Sequence, residues 1–137
     1  APGYDPSALA LFTAEGVLMY LTEAEVRVLL QTIRAHSAAG SRLVGTLMEP
    51  DPVTGNINMR GGNRFVSRIV EVTLKAIGEP LQWGIAPAML PDFLATENFR
   101  LLESAATRAV LEQAMPHAPA DTKLPEGEYL FASETTR

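Results

Sequence analysis

The sequence contains no cysteine and is short of several other features, and each shortage excludes a class of protein. Without cysteine there is no disulfide framework and no thiolate site for zinc or an iron–sulfur cluster. No apolar run approaches the ~20 residues that a membrane-spanning helix needs. The 16 acidic residues outnumber the 11 basic ones, and the net charge of −5 does not favour nucleic-acid binding. The remaining composition, 47% hydrophobic and 20% charged, predicts one globular domain over residues 1–137.

Common catalytic motifs are missing as well. No two glycines lie two residues apart, which excludes the Gly-x-Gly-x-x-Gly dinucleotide loop. The histidines are His36 and His117; we expect both at the surface, and no carboxylate cluster beside them predicts a metal site. No basic stretch followed by an apolar core opens the sequence, so we expect no signal peptide. Together with the lack of cysteine, this predicts a cytoplasmic protein.

The N-terminal part has a strand–helix–strand pattern. Residues 8–14 are apolar on both faces and lie between turn residues, which predicts a buried strand. Thr22 and Glu25 have the spacing of a capping box, so a helix begins there, and Gly40 offers a left-handed stop after it. Residues 41–48 are predicted to form the second strand, which prolines end.

The C-terminal part alternates loops, helices and strands. Pro91 indicates either a kink or a later start in one of these helices, and Asn98 is expected in a left-handed conformation after it. The predicted elements are a loop at 49–62, a helix at 63–77, a helix near 87–97, a strand at 99–105, a helix at 107–115, a loop at 116–125 and a last strand at 128–133.

This order of elements belongs to an α/β sheet. The first two strands flank a single helix, so they should be parallel neighbours joined by a right-handed crossover. The pattern alone is equally compatible with a parallel and an antiparallel last strand.

The segment after the first strand carries the strongest functional signal. The strand delivers Glu15 to its carboxyl end, Gly16 turns the chain, and Tyr20 follows within a turn. Ligands of open α/β sheets bind just outside the carboxyl ends of the strands. Glu15 could therefore accept hydrogen bonds from a ligand. The alternative is that Glu15 caps a nearby N–H while Met19, Tyr20 and Leu21 fill the core.

Residues 14–21 (Ala-Glu-Gly-Val-Leu-Met-Tyr-Leu) resemble the motif after the fourth strand in the leucine carboxyl methyltransferase family of S-adenosylmethionine-dependent O-methyltransferases. Weaker similarities follow in the family's order at residues 3–7, 83–85, 90–94, 99–102 and 127–132. The resemblance implies the C-terminal half of a Rossmann-like class I methyltransferase sheet, with strands four to seven, flanking helices and an antiparallel last strand.

The same resemblance implies roles for four residues. Glu15 and Gly16 would contact the cofactor, S-adenosyl-L-methionine, and Tyr20 would lie near the site of methyl transfer to an oxygen. Trp83 would line the acceptor pocket, although a lone tryptophan is more often a core or cover residue. No residue is assigned as a catalytic acid or base. The acceptor would be a small molecule or a peptide carboxylate.

The glycine-rich cofactor loop of that family has no counterpart in these residues. Without the family's first half, the first strand would have an unpaired apolar edge, which natural proteins avoid. We expect a fragment of a longer methyltransferase, with a partner carrying the first half or a homodimer as alternatives. Two other functions remain: a non-catalytic interaction module that uses this edge, and an unrelated flavodoxin-like domain.

Overall fold

The structure is a computed structural model that describes residues 3–55, 57, 72–73, 78, 80–115, 117 and 127–136. The predicted helix at 63–77 lies outside the described residues except for Val72 and Thr73, which are helical. Most of the predicted loop at 116–125 and part of the one at 49–62 lie outside them too.

Four strands form a single sheet within the described residues. They are β1 (Leu11–Ala14), β2 (Arg42–Met48), β3 (Phe99–Ala106) and β4 (Glu128–Thr135), in the spatial order β1-β2-β4-β3. β1 and β2 are parallel, and β4 is antiparallel to both β2 and β3. The α/β class, the parallel first pair and the antiparallel last strand are therefore confirmed. This arrangement differs from a flavodoxin-like sheet, which removes that alternative.

Besides the helical residues Val72 and Thr73, the described part of the chain contains three α-helices: α1 (Glu23–Ala35), α2 (Leu90–Thr96) and α3 (Thr107–Ala114). One 3-10 turn spans Leu18–Tyr20, and another, Pro87–Met89, precedes α2, so Pro91 marks a later helix start rather than a kink. In the part of the chain that the structure describes, no helix has the length and apolar character for crossing a membrane.

Local signals in the sequence set the limits of these helices. The capping box at the start of α1 is complete: the Glu25 N–H donates to Thr22 Oγ1 at 3.3 Å, and the Thr22 N–H donates to Glu25 Oε2 at 2.8 Å. Each bond satisfies a backbone donor that the first helical turn leaves free. Asn98 ends the α2 region in the left-handed conformation that was predicted, with φ 62°.

The hydrophobic core lies between one face of the sheet and helices α1 and α2. Burying each of its larger side chains contributes about 1.5–3 kcal/mol, so these contacts hold the helices on the sheet. The buried residues of this core are Leu18, Val26, Leu30, Ile33, Leu43, Leu47, Leu90, Phe93, Leu94, Phe99, Tyr129 and Phe131.

β1 departs from the prediction of a buried strand at residues 8–14. It has four residues, and both its first residue, Leu11, and the preceding Leu9 are open to solvent, at 65% and 71% exposure. Among the described strands only β2 pairs with β1, so the outer side of β1 is an edge. The strand also starts late, because the Ala10 N–H donates to the side chain of Ser41 (3.1 Å) instead of a strand partner.

A polar cluster joins α1 to the end of α2. The Arg27 guanidinium donates to Glu97 Oε1 at 2.6 Å, and the Gln31 side chain donates to Glu97 Oε2 at 3.0 Å. These bonds lower the pKa of Glu97, Gln31 more than Arg27, and so keep its buried carboxylate ionised. The Arg27 guanidinium also lies over the Phe93 ring, 4.5 Å from its centroid.

Candidate functional site

The candidate site is the carboxyl end of β1, where the chain turns at Glu15 and Gly16. Both residues are exposed, and Gly16 has φ 64°, a left-handed conformation that glycine adopts without strain. A Cβ built on Gly16 would meet nothing within 4 Å, so glycine is needed for the turn and the space beside it is open.

The two residues differ in what they offer a ligand. The Gly16 N–H donates to Thr46 Oγ1 at 2.8 Å, and Thr46 is buried with 6% exposure, so this amide ties the turn to β2. The Glu15 carboxylate makes no hydrogen bond or ion pair with any described residue. The interpretation of Glu15 as a cap for a nearby N–H is therefore wrong. Its carboxylate is free to accept hydrogen bonds.

In the turn after Gly16, some side chains lie in the core and others lie nearer the surface. Leu18 is 2% exposed and Met19 3% exposed, so both fill the core, as the alternative interpretation expected for Met19. Tyr20 is half-buried and ends the 3-10 turn, and its N–H donates to the carbonyl of Val17 at 3.0 Å. Tyr20 is thus partly open to solvent, four residues after Gly16.

Trp83 lies in a segment that crosses the same end of the sheet, residues 82–85, which we call the crossing segment. The N–H groups of Gln82 and Trp83 donate to the carbonyl of Met19 at 2.8 and 3.4 Å. The Trp83 ring is half-buried and packs on Phe93, with ring centroids 5.0 Å apart. This contact supports a structural role for Trp83 and leaves part of its ring exposed.

The structure therefore brings Tyr20 and Trp83 into one backbone network around Met19. The Gln82 side chain adds to it, because Nε2 donates to the Tyr20 carbonyl at 2.8 Å. Glu15 and Gly16 precede this network along the chain, at the end of β1. Of the four residues predicted from the sequence, three thus follow β1 directly, and Trp83 lies in the crossing segment that contacts this region.

Three residues at this edge were not singled out from the sequence: Gln82, Gly84 and Tyr129. A Cβ on Gly84 would lie 2.3 Å from the carbonyl oxygen of Met48, so only glycine lets the crossing segment pass the end of β2. The isolated Gly84 beside a tryptophan was the available signal for such a close approach. The side chains of Gln82 and Tyr129 donate hydrogen bonds to backbone groups that are distant in sequence, and a local sequence pattern does not predict such contacts.

Tyr129 fastens the other end of the crossing segment. Its phenolic O–H donates to the carbonyl of Ile85 at 2.8 Å, while the Ile85 N–H donates to the Met48 carbonyl at 3.0 Å. Burial raises the pKa of Tyr129, and the negative charge of Glu49 raises it further. The phenol therefore stays protonated and keeps donating throughout the physiological pH range.

The residues at this edge fit part of a nucleoside cofactor. The free Glu15 carboxylate can accept hydrogen bonds from hydroxyl or amine groups, and the space beside Gly16 admits a ligand close to the backbone. The Gly16 amide is not available as a donor, since Thr46 accepts its hydrogen bond. Within the described residues, the edge thus provides an acceptor and open space but no free anion-binding amide at Gly16. The described residues also contain no cluster of metal-binding side chains.

The architecture is a mixed four-stranded α/β sheet with flanking helices, a fold that is also present in a solved methyltransferase structure. Over 47 residues, 34% of this chain, the sequence is 51% identical to a Streptomyces avermitilis protein named as an S-adenosyl-L-methionine-dependent methyltransferase. The match covers 17% of that relative's length. The chain is therefore similar to an S-adenosylmethionine-dependent methyltransferase over about a third of its own length, and the matched part is a small share of that relative. No protein-family model matches the chain.

Solved structures agree on the fold. The Burkholderia thailandensis 1,6-didemethyltoxoflavin-N1-methyltransferase, solved with 1,6-didemethyltoxoflavin and S-adenosylhomocysteine, has a TM-score of 0.55 at 13% identity. That alignment covers 93% of this chain and 44% of the other. A structure described as a pericyclic reaction enzyme also has a TM-score of 0.55, at 11% identity, covering 95% of this chain and 27% of that one. The fold alone therefore does not identify the reaction.

Proposed function

We propose that this chain is part of an S-adenosylmethionine-dependent O-methyltransferase of the leucine carboxyl methyltransferase family. Residues 1–137 would belong to its single methyltransferase domain and line one wall of the cofactor and acceptor pocket. Its acceptor would be the carboxylate or hydroxyl of a small molecule or peptide, and its location cytoplasmic. The proposal is supported by the 51% identity over 47 residues to the named methyltransferase.

The observation that carries the proposal is the free Glu15 carboxylate at the carboxyl end of β1. It is exposed, it has no partner among the described residues, and it lies where open α/β sheets bind ligands. An exposed glutamate without a partner contributes little to stability. A role in accepting hydrogen bonds from the cofactor would explain why the turn places it there.

Methyl transfer to an oxygen requires these residues to bind and orient the reactants rather than to transfer protons. S-adenosylmethionine, when bound, supplies a methyl group already activated by its sulfonium, so the protein mainly binds and orients the two reactants. A carboxylate acceptor is ionised at neutral pH and needs no general base. Tyr20 and the exposed part of Trp83 would contact the acceptor, and neither is assigned a proton-transfer step.

The first half of the domain would pair with the outer side of β1. The pairing of β1 supports this, because only β2 pairs with it among the described strands and an unpaired strand edge is a template for further strands. The exposed Leu9 and Leu11 add apolar surface beside that edge. The added strands could belong to the same polypeptide or to a partner chain, and they would bring the glycine-rich loop that these residues lack.

Calorimetric titration of S-adenosylhomocysteine into the full-length protein tests the function. We expect clear binding, and we expect Glu15→Gln to weaken it by about 1–3 kcal/mol, the scale for losing one charge-assisted hydrogen bond. Glu103→Gln is the matched control, since Glu103 is also exposed but lies on β3 at the opposite edge of the sheet.

Absence of binding by the full-length protein would refute the methyltransferase proposal. Equal affinities for the Glu15→Gln and Glu103→Gln variants would instead refute only the role of Glu15. The two results are separate because the second requires that the unaltered protein binds.

The apolar edge also favours a second candidate, a non-catalytic module derived from a methyltransferase. Leu11 is 65% exposed on a strand with one free side, and such an edge recruits a partner or a second copy. This candidate predicts association that depends on concentration, measured by light scattering, together with no S-adenosylhomocysteine binding.

A further inference from the structure

The crossing segment contacts the Leu18–Tyr20 turn at one end and strands β2 and β4 at the other. Met19 accepts hydrogen bonds from two of its N–H groups, Met48 accepts one from Ile85, and Tyr129 donates to the Ile85 carbonyl at 2.8 Å. The close approach of Gly84 to Met48 leaves no room for a shift toward β2. At Ile85 the segment is thus fixed to β2 and β4 by contacts that do not involve the turn, whereas Gln82 and Trp83 contact the turn itself.

The turn that holds Tyr20 is weak by comparison. It is a 3-10 helix of three residues, Leu18–Tyr20, with no side-chain cap at its start. Two N–H groups close it: Tyr20 donates to Val17 at 3.0 Å and Leu21 donates to Leu18 at 3.2 Å. Short 3-10 turns have poorer hydrogen-bond geometry than α-helices. The buried Leu18 and Met19 hold this turn in the core, whereas its last residue, Tyr20, is only half-buried.

Gln82 provides a hydrogen bond at this half-buried end of the turn. Its side chain is exposed, and its Nε2 donates at 2.8 Å to the carbonyl of Tyr20, the last residue of the turn. Its own N–H donates to the preceding carbonyl, that of Met19. One residue therefore binds two consecutive carbonyls of the turn, from a segment that is itself fixed to β2 and β4.

We propose that Gln82 is a positioning residue that holds the Leu18–Tyr20 turn and thereby sets where Tyr20 lies. The inference deepens the proposed function and rests on it, since Tyr20 is the residue proposed to face the methyl acceptor. Gln82 itself need not touch the acceptor. Its amide acts through the backbone of Tyr20.

Amide hydrogen exchange, read by NMR on the full-length protein, tests this role without any ligand. We expect Gln82→Ala to speed exchange at the Tyr20 and Leu21 amides about fivefold, the factor for one ordinary hydrogen bond. The amides of α1 should be unchanged. Gln113→Ala is the matched control, because Gln113 is an exposed glutamine on α3, and it should alter neither region.

The Gln82→Glu variant distinguishes the effect of the hydrogen bond that Gln82 donates from the effect of its side-chain size. At neutral pH its carboxylate has the size of the amide but no proton to donate to Tyr20, so exchange should match that of Gln82→Ala. Below the ordinary glutamate pKa of about 4.3 the protonated carboxyl can donate again, and protection should return relative to the Gln113→Ala protein at the same pH. A merely steric role would give no such recovery.

Unchanged exchange at Tyr20 and Leu21 in Gln82→Ala would overturn the proposal. An equal increase at these amides and in α1 would overturn it as well, because Gln82 would then stabilise the whole domain. Titration of the same proteins with S-adenosylhomocysteine distinguishes this failure from that of the proposed function. A full-length protein that shows the exchange effect but no binding would refute the function and leave the positioning of the turn standing.

Discussion

β1 and β4 are strands of the same sheet that lie in opposite environments. β4 pairs along its length with β2 on one side and β3 on the other, and its residues alternate between half-buried and buried. β1 pairs with β2 alone and alternates between exposed and half-buried. Yet residues 8–14 are the more continuously apolar of the two segments.

The difference shows that the apolar composition of a strand does not determine by itself whether the strand is paired on both sides. A run that is apolar on both faces is typical of a strand with neighbours on both sides and layers on both faces. β4 has a polar residue at several positions, and its buried Ser133 bonds the Leu43 carbonyl at 3.4 Å. The sequence of β1 thus fits an interior strand, while its described surroundings are those of an edge.

The largest expected effect comes from truncating the two strands at matched phenylalanines. Phe131 on β4 is 3% exposed and belongs to the core, whereas Phe12 on β1 is half-buried. We expect Phe131→Ala to lower the free energy of unfolding by about 3–5 kcal/mol and Phe12→Ala by less than half of that. Urea denaturation measures both. If Phe131→Ala does not fold, Phe131→Leu and Phe12→Leu provide the same comparison.

Equal losses for the two phenylalanines would contradict the description of β1 as an edge. They would show that its inner face is buried as deeply as that of β4 in solution.

The next effect compares two glycines at the carboxyl end of the sheet. A Cβ on Gly84 would clash with the Met48 carbonyl at 2.3 Å, whereas a Cβ on Gly16 would meet open space at φ 64°. Gly84→Ala should therefore lower stability by about 2–3 kcal/mol through overpacking, and Gly16→Ala by about 1–2 kcal/mol through backbone strain alone. Thermal or urea unfolding of both variants checks the order, and a reversed order would mean that the crossing segment can move away from β2.

Much of the fold follows from local signals in the sequence. The capping box at Thr22, the left-handed Asn98 and the strand limits of β2 to β4 were predicted to within two residues, because each depends on neighbours close in sequence. The prediction that residues 8–14 form a buried strand was wrong, because burial depends on the elements that pack beside a strand and not on its own composition. No sequence pattern could report that Ser41 would take the hydrogen bond of Ala10.

The candidate site follows the same division. Glu15, Gly16 and Tyr20 were found because they directly follow a strand, and the resemblance to a methyltransferase motif added their roles. Gln82 was missed because its partner, the Tyr20 carbonyl, lies 62 residues away. Such long-range contacts to backbone atoms leave no side-chain pattern in a single sequence.

A smaller effect on stability is expected at Glu97, which joins α2 to α1. Its hydrogen bonds from Gln31 and Arg27 lower its pKa, so Glu97 stabilises the fold above the ordinary carboxyl value of about 4.3 and loses this effect as pH falls through its lower folded value. Glu97→Gln should cost about 1 kcal/mol at pH 7, a figure reduced because Arg27 is partly exposed.

The pH dependence of that difference is the measurement. We expect the stability gap between the unaltered protein and Glu97→Gln to close as pH falls from about 5 to below the folded pKa of Glu97. The lowered pKa of Glu25, which its bonds with Thr22 cause, is present in both proteins and cancels. A gap that stays constant with pH would mean that Glu97 contributes through packing rather than charge.

The smallest effect on stability, and the sharpest test of the comparison, is Leu11→Lys on the open edge. Leu11 is 65% exposed, so a lysine there should change the free energy of unfolding by less than about 0.5 kcal/mol. Lysine on an edge strand opposes pairing with another chain, so association of residues 1–137 at high concentration should weaken, as light scattering after size exclusion would measure. Val28→Lys is the control, since Val28 is 61% exposed on α1 rather than on the sheet. If both lysines reduce association equally, general surface charge is responsible; if neither does, the edge of β1 does not pair with another copy.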